Sequence, residues 1–223
     1  MRVALIHALA HSVAPVNAEF DRVWPDCERM NLLDDSLSTD LARSETGLDE
    51  RMTARFVALA GYAIDAGAQG ILFSCSAFGP CIDAVAQRWP DIPVLKPNEA
   101  MIADAARTGR RIGLVSSFAP TLLTMPGEFP ARVNVLPMLA DGALEALDRG
   151  DAALHDALVA DAARRVVDQG AEVIALAQFS IARAAPAVER AVSVPVITTV
   201  GSAVRALRAR MLKEPANTIN VRR

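Results

Sequence analysis

The stretch AGAQGILFSCSAFGPC (residues 66–81) has a counterpart in QGAEVIALAQFSIARA (residues 169–184), and that pairing sets the architecture. Each has a glycine at its second position, runs through a buried-looking apolar segment, breaks into a short loop and enters a helical pattern. Gly67 aligns with Gly170 at a separation of 103, and Cys75 then aligns with Gln178. The match continues through VAQRWPDIPVL and VERAVSVPVIT, with one residue dropped before Pro93 and Pro195. RVALIHAL (residues 2–9) and RIGLVSSF (residues 111–118) open the two halves in the same way. Fixed-period self-similarity of this kind marks an internal duplication.

On either side of these segments, apolar runs alternate with helical patterns, the arrangement of a parallel sheet flanked by helices. The expected strands are Val3–Ile6, Arg29–Leu33, Gly70–Ser74, Val94–Leu95, Arg111–Ser116, Arg132–Leu136, Val173–Ala177 and Val196–Thr198. Residues 49–66 place Met52, Phe56, Leu59 and Ala63 at helical spacing and stop at Gly67. Residues 152–169 repeat this with Leu154, Leu158, Ala162 and Val166 and stop at Gly170, glycine being the favoured residue just past a helix end. The expected fold class is α/β: two similar, pseudo-twofold-related lobes, each a parallel sheet flanked by helices, with the active-site cleft between them. The expected lobes are residues 1–97 and 98–201, with a last helix (202–223) packing back on the first.

Bulk properties narrow the function. A net charge of −3 offers no electrostatic footprint for nucleic acid, and the basic RALRARMLKEPANTINVRR at the C-terminus reads as a helix with a solvated face. No run approaches the roughly 20 apolar residues of a membrane span. MRVALIHALAHSVA superficially resembles a secretion signal, but His7 and His11 interrupt its apolar run and a first strand is the reading adopted. Cys27, Cys75 and Cys81 form no CxxC. That argues against a disulfide framework or zinc site and makes the cytoplasm the expected compartment. Phosphate-loop, dinucleotide and serine-elbow motifs are all lacking.

Ligands of open α/β sheets bind beyond the carboxyl ends of strands. The tips here carry His7, Asp34-Asp35-Ser36, Cys75-Ser76-Ala77, Ser116-Ser117-Phe118, Gln178-Phe179-Ser180 and Thr198. Cys75 precedes a helix whose first turn contains Phe78-Gly79-Pro80. N–H groups at a helix start favour an anion and can draw a thiol below its ordinary pKa. The same N–H groups, with the Ser76 hydroxyl, could hold a carboxylate, which suits proton abstraction beside it. Free cysteine is equally often a small buried hydrophobe, so spacing alone leaves both roles open. Cys81 is assigned to packing and His155 to a helix surface. His7 is either a pocket group or a satisfied core histidine, and Asp34-Asp35-Ser36 is either a substrate contact or a helix cap. For the serines the alternative to ligand binding is hydrogen bonding at strand ends.

The duplicated halves, the Cys-Ser-Ala tip (residues 75–77), RIGLVSSF and GAEVIALAQFS…PVITTVGSAV together resemble the Asp/Glu racemase superfamily. That group includes amino-acid and hydantoin racemases, maleate isomerases and arylmalonate decarboxylases. The resemblance spans nearly the whole chain. It implies an enzyme that needs no cofactor and binds a small carboxylate or amino acid between its halves. Its racemases use two cysteines, one removing and one returning a proton. Cys75 matches the first; the position of the second holds Gln178, which cannot carry a proton near neutral pH. The resemblance therefore implies a single-cysteine variant with Cys75 and Gln178 as catalytic residues. Substrate binding would fall to His7, Ser76, Ala77, Ser116, Ser117, Phe118, Phe179, Ser180 and Thr198. Ala77 and Phe118 lack hydroxyls that relatives often carry there. An isomerase is the first expectation, and a decarboxylase or lyase the second because one cysteine is missing. A covalent-cysteine hydrolase and a non-catalytic carboxylate binder are the other readings. No metal, nucleic-acid partner or membrane is expected, and a homo-oligomer is compatible with all of this.

Overall fold

The computed structural model describes residues 1 to 213 of the 223. They fall into two compact units, residues 1–97 with 203–213, and residues 98–202. The first contains β1 (Arg2–His7), α1 (Val13–Val23), β2 (Glu28–Leu33), α2 (Ser36–Arg43), α3 (Glu50–Asp65), β3 (Gly70–Phe73), α4 (Gly79–Arg88) and β4 (Val94–Leu95). The second contains α5 (Glu99–Thr108), β5 (Arg111–Ser116), α6 (Ala119–Thr124), β6 (Asn134–Leu139), α7 (Ala143–Asp148), α8 (Ala152–Asp168), β7 (Val173–Leu176), α9 (Ala185–Ala191) and β8 (Val196–Thr198). α10 (Thr199–Leu212) begins in the second unit and ends in the first.

Both sheets are parallel and share one topology, β2-β1-β3-β4 and β6-β5-β7-β8. The sequence explains this order. Val3–Ile6, Ile71–Phe73, Ile112–Val115 and Val173–Leu176 are apolar or small throughout and wholly buried, as strands covered on both faces must be. β2 (ERMNLL) and β6 (NVLPML) carry polar residues and are half-exposed at the sheet edges.

β6 starts two and ends three residues later than expected, and Pro137 sits inside it opposite Leu114. An edge strand tolerates proline where its missing N–H faces away from the sheet. The remaining strands fall within a residue of expectation.

The two long helices are built alike. Asp49 Oδ1 accepts from Met52 N at 2.7 Å, and Asp151 Oδ1 from Leu154 N at 3.0 Å, capping α3 and α8. Each ends in a glycine at positive φ, Gly67 at 88° and Gly170 at 90°. In both, the residue after the glycine bonds five residues back: Ala68 N to Ala63 O, and Ala171 N to Val166 O.

Met52, Phe56, Ala60 and Ala63 of α3 enter the first core. There Phe56 packs on Phe73 and Phe78 with ring centroids 5.3 and 4.8 Å apart. Gly70 leaves room for α10: a Cβ there would meet Met211 Sδ at 2.6 Å.

α8 is rotated from the expected face. His155, Val159, Ala162, Ala163 and Val166 are buried while Leu154 is 40% exposed. An alanine-rich helix gives two nearly equivalent apolar stripes, and the expected surface histidine is wholly buried on the one that faces inward. The His155 Nδ1–H donates to Asp156 Oδ1 at 2.8 Å, and Asp156 is also held by Arg183. These two partners hold the Asp156 carboxyl below its ordinary range against the opposing effect of its own burial.

Of the basic C-terminal segment, residues 214–223 lie outside the described residues. No described helix is long and apolar enough to cross a membrane.

Candidate functional site

In each sheet the chain leaves the first strand in one direction and returns on its other side. The switch point therefore lies between the carboxyl ends of β1 and β3, and of β5 and β7. Register places the expected residues there. Ile6 pairs with Phe73, so His7 meets Ser74 and Cys75 follows; Val115 pairs with Leu176, so Ser116 and Ser117 meet Ala177 and Gln178.

In the first unit, His7 is fully buried and serves as a polar brace. Ser74 Oγ lies 3.0 Å from its Nδ1, and Asn31 Oδ1 lies 3.1 Å from its Nε2. Asn31 Oδ1 also accepts from Asn17 Nδ2 at 2.9 Å. Burial outweighs these contacts and lowers the His7 pKa, so the ring is neutral, with Nε2–H donating to Asn31 and Nδ1 accepting from Ser74. Asn17 and Asn31 escape the sequence reading. The available signal was asparagine inside a strand, where it is disfavoured without a specific partner.

Cys75 lies two residues beyond β3, still in extended geometry, followed by a single turn of 3-10 helix (Ser76–Phe78) and then by α4 with Pro80 in its first turn. It lines a recess with Ile6, His7, Ala8, Leu37, Phe56 and Phe73 that is too tight to admit a water molecule. The expected lowering of the thiol pKa is reversed. Burial among these apolar walls pushes Cys75 up, and the Ala77 N–H offsets only part of that. The thiol is consequently protonated at neutral pH. Ser76 and Ala77 stand beside it, both exposed.

Cys81 is buried in the same core, with its Sγ 3.5 Å from Thr53 Oγ1. Asp34 is committed to structure: it accepts from Ser36 N and Oγ and pairs with Arg55 at 2.7 Å, which also holds Asp40.

In the second unit, Gln178 is fixed by its side-chain oxygen. Oε1 accepts from Ser116 Oγ at 2.8 Å, Ser117 N at 2.8 Å and Ser117 Oγ at 3.1 Å. A backbone N–H can only donate, so the atom it meets is the oxygen and the amide orientation follows. The Nε2 group makes no hydrogen bond among the described residues and is not sealed from solvent. Gln178 thus presents two fixed N–H donors.

Ser116 is fully buried, with its Oγ engaged by Gln178 and by the N–H and C=O of Phe118. It and Ser117 hold Gln178, and neither offers a free hydroxyl. Phe118 is 48% exposed at the start of α6. Phe179 and Ser180 are buried. Thr198 Oγ1 accepts from Gly201 N at 2.9 Å, bracing the first turn of α10. The geometry therefore gathers Ser116, Ser117, Phe118 and Gln178 at one tip, and His7, Cys75, Ser76 and Ala77 at the other unit's equivalent tip. Phe179 and Ser180 are closed off by burial, whereas Thr198 is half-buried with its Oγ1 used by Gly201 N.

The fold has solved counterparts. The allantoin racemase of Klebsiella pneumoniae superposes with a TM-score of 0.71 at 19% identity, over 99% of this chain and 91% of that one. An aspartate racemase homologue from Pyrococcus horikoshii OT3 gives 0.72 at 15% identity, over 95% and 99%. A glycine-to-cysteine variant of arylmalonate decarboxylase, in its sulfate-associated form, gives 0.68 at 18% identity, over 99% and 97%. Among curated proteins no sequence match was found. The family described as Asp/Glu/Hydantoin racemase matches residues 14–207, which takes in every strand but the first and both Cys75 and Gln178, and the chain belongs to that family.

Proposed function

We propose that the protein is an isomerase- or lyase-type enzyme that delivers a proton to the carbon beside a carboxylate of a small acid or amino acid, with Cys75 as the proton donor. The observation that carries this reading is the setting of Cys75, a thiol walled by Ile6, Leu37, Phe56 and Phe73. It occupies a switch-point tip, yet burial holds it as a thiol, which suits an acid better than a base at neutral pH. The position related to it by the repeat holds Gln178, an amide with its oxygen fully engaged. Gln178 can donate hydrogen bonds to a substrate oxygen but cannot carry a proton. Proton transfer is therefore one-sided.

Decarboxylation fits this arrangement best. The bond from the α-carbon to the departing carboxylate breaks, and its electron pair is delocalised onto the remaining carboxylate as an enediolate while carbon dioxide leaves. The Sγ–H proton passes to the carbon, and the thiolate formed is met by the Ala77 N–H and reprotonated from water. Fixed donors such as Gln178 Nε2 favour the enediolate over the ground-state carboxylate, since charge on oxygen grows in the transition state. A second reading is isomerisation through the same enediolate, supported by the family itself.

The test is turnover in deuterium oxide with a panel of small malonates, amino acids and hydroxy acids. The reading predicts a product or recovered substrate carrying deuterium at the α-carbon, lost in Cys75→Ala and retained in Cys81→Ala. Incorporation that survives Cys75→Ala would refute it, and so would a folded protein inert to the whole panel.

A further inference from the structure

At the amino-terminal edge of the second sheet, the end away from Ser116 and Gln178, the surface opens into a concavity of about 450 Å³. Its walls are the end of α5 and the segments entering β5, β6 and β7, and three arginines line it: Arg107, Arg110 and Arg132. Arg107 is ion-paired with Asp104, yet remains 55% exposed. The side chains of Arg110 and Arg132 make no hydrogen bond or ion pair among the described residues.

The single carboxylate in the lining is Glu172, and it is already engaged. Its Oε2 accepts from Arg110 N at 2.8 Å and Arg111 N at 3.3 Å. Those two bonds, helped by the charges of Arg111 and Arg110, set its carboxyl below the ordinary range. The rim is stitched further by Asn134 N donating to Arg110 O at 2.6 Å and Val133 N to Pro130 O at 3.0 Å. The backbone that carries Arg110 and Arg132 is thus fixed, while the donors of their guanidinium groups are uncommitted.

We infer that this concavity is a binding site for a small polyanion, a phosphate ester or an oligocarboxylate, held by Arg110 and Arg132 with Arg107 at the margin. Guanidinium groups match phosphate and carboxylate oxygens two at a time. Positive groups gathered around a concave surface also focus potential onto one ligand. The volume accommodates a molecule of ordinary metabolite size. The site does not depend on the reading of Cys75, because it lies at the other end of the sheet strands and shares no residue with the tips.

Calorimetric titration of the full chain with inorganic pyrophosphate and, separately, with citrate tests it. Saturable binding by either anion is expected, weakening as salt rises. The preferred anion identifies the phosphate or the carboxylate class. Arg110→Ala with Arg132→Ala should weaken binding by at least about tenfold, leaving turnover and melting temperature unchanged. Gln178→Leu should leave the binding intact and so separates this site from the strand tips. No saturable binding of either anion at low salt would overturn the inference. So would a double variant that binds as the parent does, or binding that disappears in Gln178→Leu instead.

Discussion

Replacing Gln178 by leucine removes one acceptor from three donors at once. Ser116 Oγ–H retains Phe118 O at 3.0 Å as an alternative, and Ser117 Oγ can rotate. The Ser117 N–H has no such freedom and would be left unpaired, in a residue only 9% exposed. An orphaned buried donor costs about 1–3 kcal/mol, and allowing for partial rescue of the hydroxyls the expected loss is about 2 kcal/mol. For a chain of this size that lowers the melting temperature by roughly 4–8 °C.

Gln178→Glu provides the contrast. Its carboxylate still accepts from all three donors, and charge-assisted bonds are stronger than neutral ones, so its loss should stay below about 0.5 kcal/mol at pH 7. Both variants lack the Nε2–H donors and should lose turnover. Urea denaturation of the three proteins measures the order. If Gln178→Leu is as stable as the parent, or Gln178→Glu is the less stable of the two, Gln178 is not held by its oxygen and the donor assignment fails.

Burial depresses the pKa of His7 in the folded chain below the ordinary histidine value of 6.5. The unfolded chain therefore binds the proton first, and stability falls as pH drops from about 6.5 towards the folded value. His7→Gln should flatten that limb in denaturation curves taken from pH 7.5 to 5, and an unchanged slope would contradict a buried neutral ring. Removing the caps of α3 and α8 with Asp49→Ala and Asp151→Ala should cost about 1 kcal/mol each, additively, because each cap bonds within its own unit; calorimetry checks this. Phe56→Ala should cost about 3–5 kcal/mol. Because Phe56 also walls the recess of Cys75, the variant should speed Cys75 alkylation by iodoacetamide, and mass spectrometry that finds Cys75 no faster would show that the recess does not limit access.

Most of the architecture is legible because duplicated strands buried on both faces leave unbroken apolar runs, and because Gly67 and Gly170 mark both helix ends. The tips follow once the repeat sets Cys75 against Gln178. What stays illegible depends on three-dimensional surroundings. Pro137 is harmless only because β6 is an edge strand, and His155 is buried only because α8 turns Leu154 partly outward. The Cys75 pKa escapes the sequence for a related reason. The helix-start N–H groups are visible in sequence, but the apolar walls from Leu37, Phe56 and Phe73 come from other segments and outweigh them. Likewise Ser116 and Ser117 read as substrate ligands until their shared acceptor, Gln178 Oε1, is known.

The mechanism stands or falls on one-sided proton delivery by a neutral Cys75. The configuration of the product formed from a prochiral disubstituted malonate in deuterium oxide puts this to the test. A single enantiomer carrying one α-deuterium, with formation abolished in Cys75→Ala, is the expected result. A racemic product, or an enantiopure one that forms undiminished without the Cys75 thiol, would rule the mechanism out.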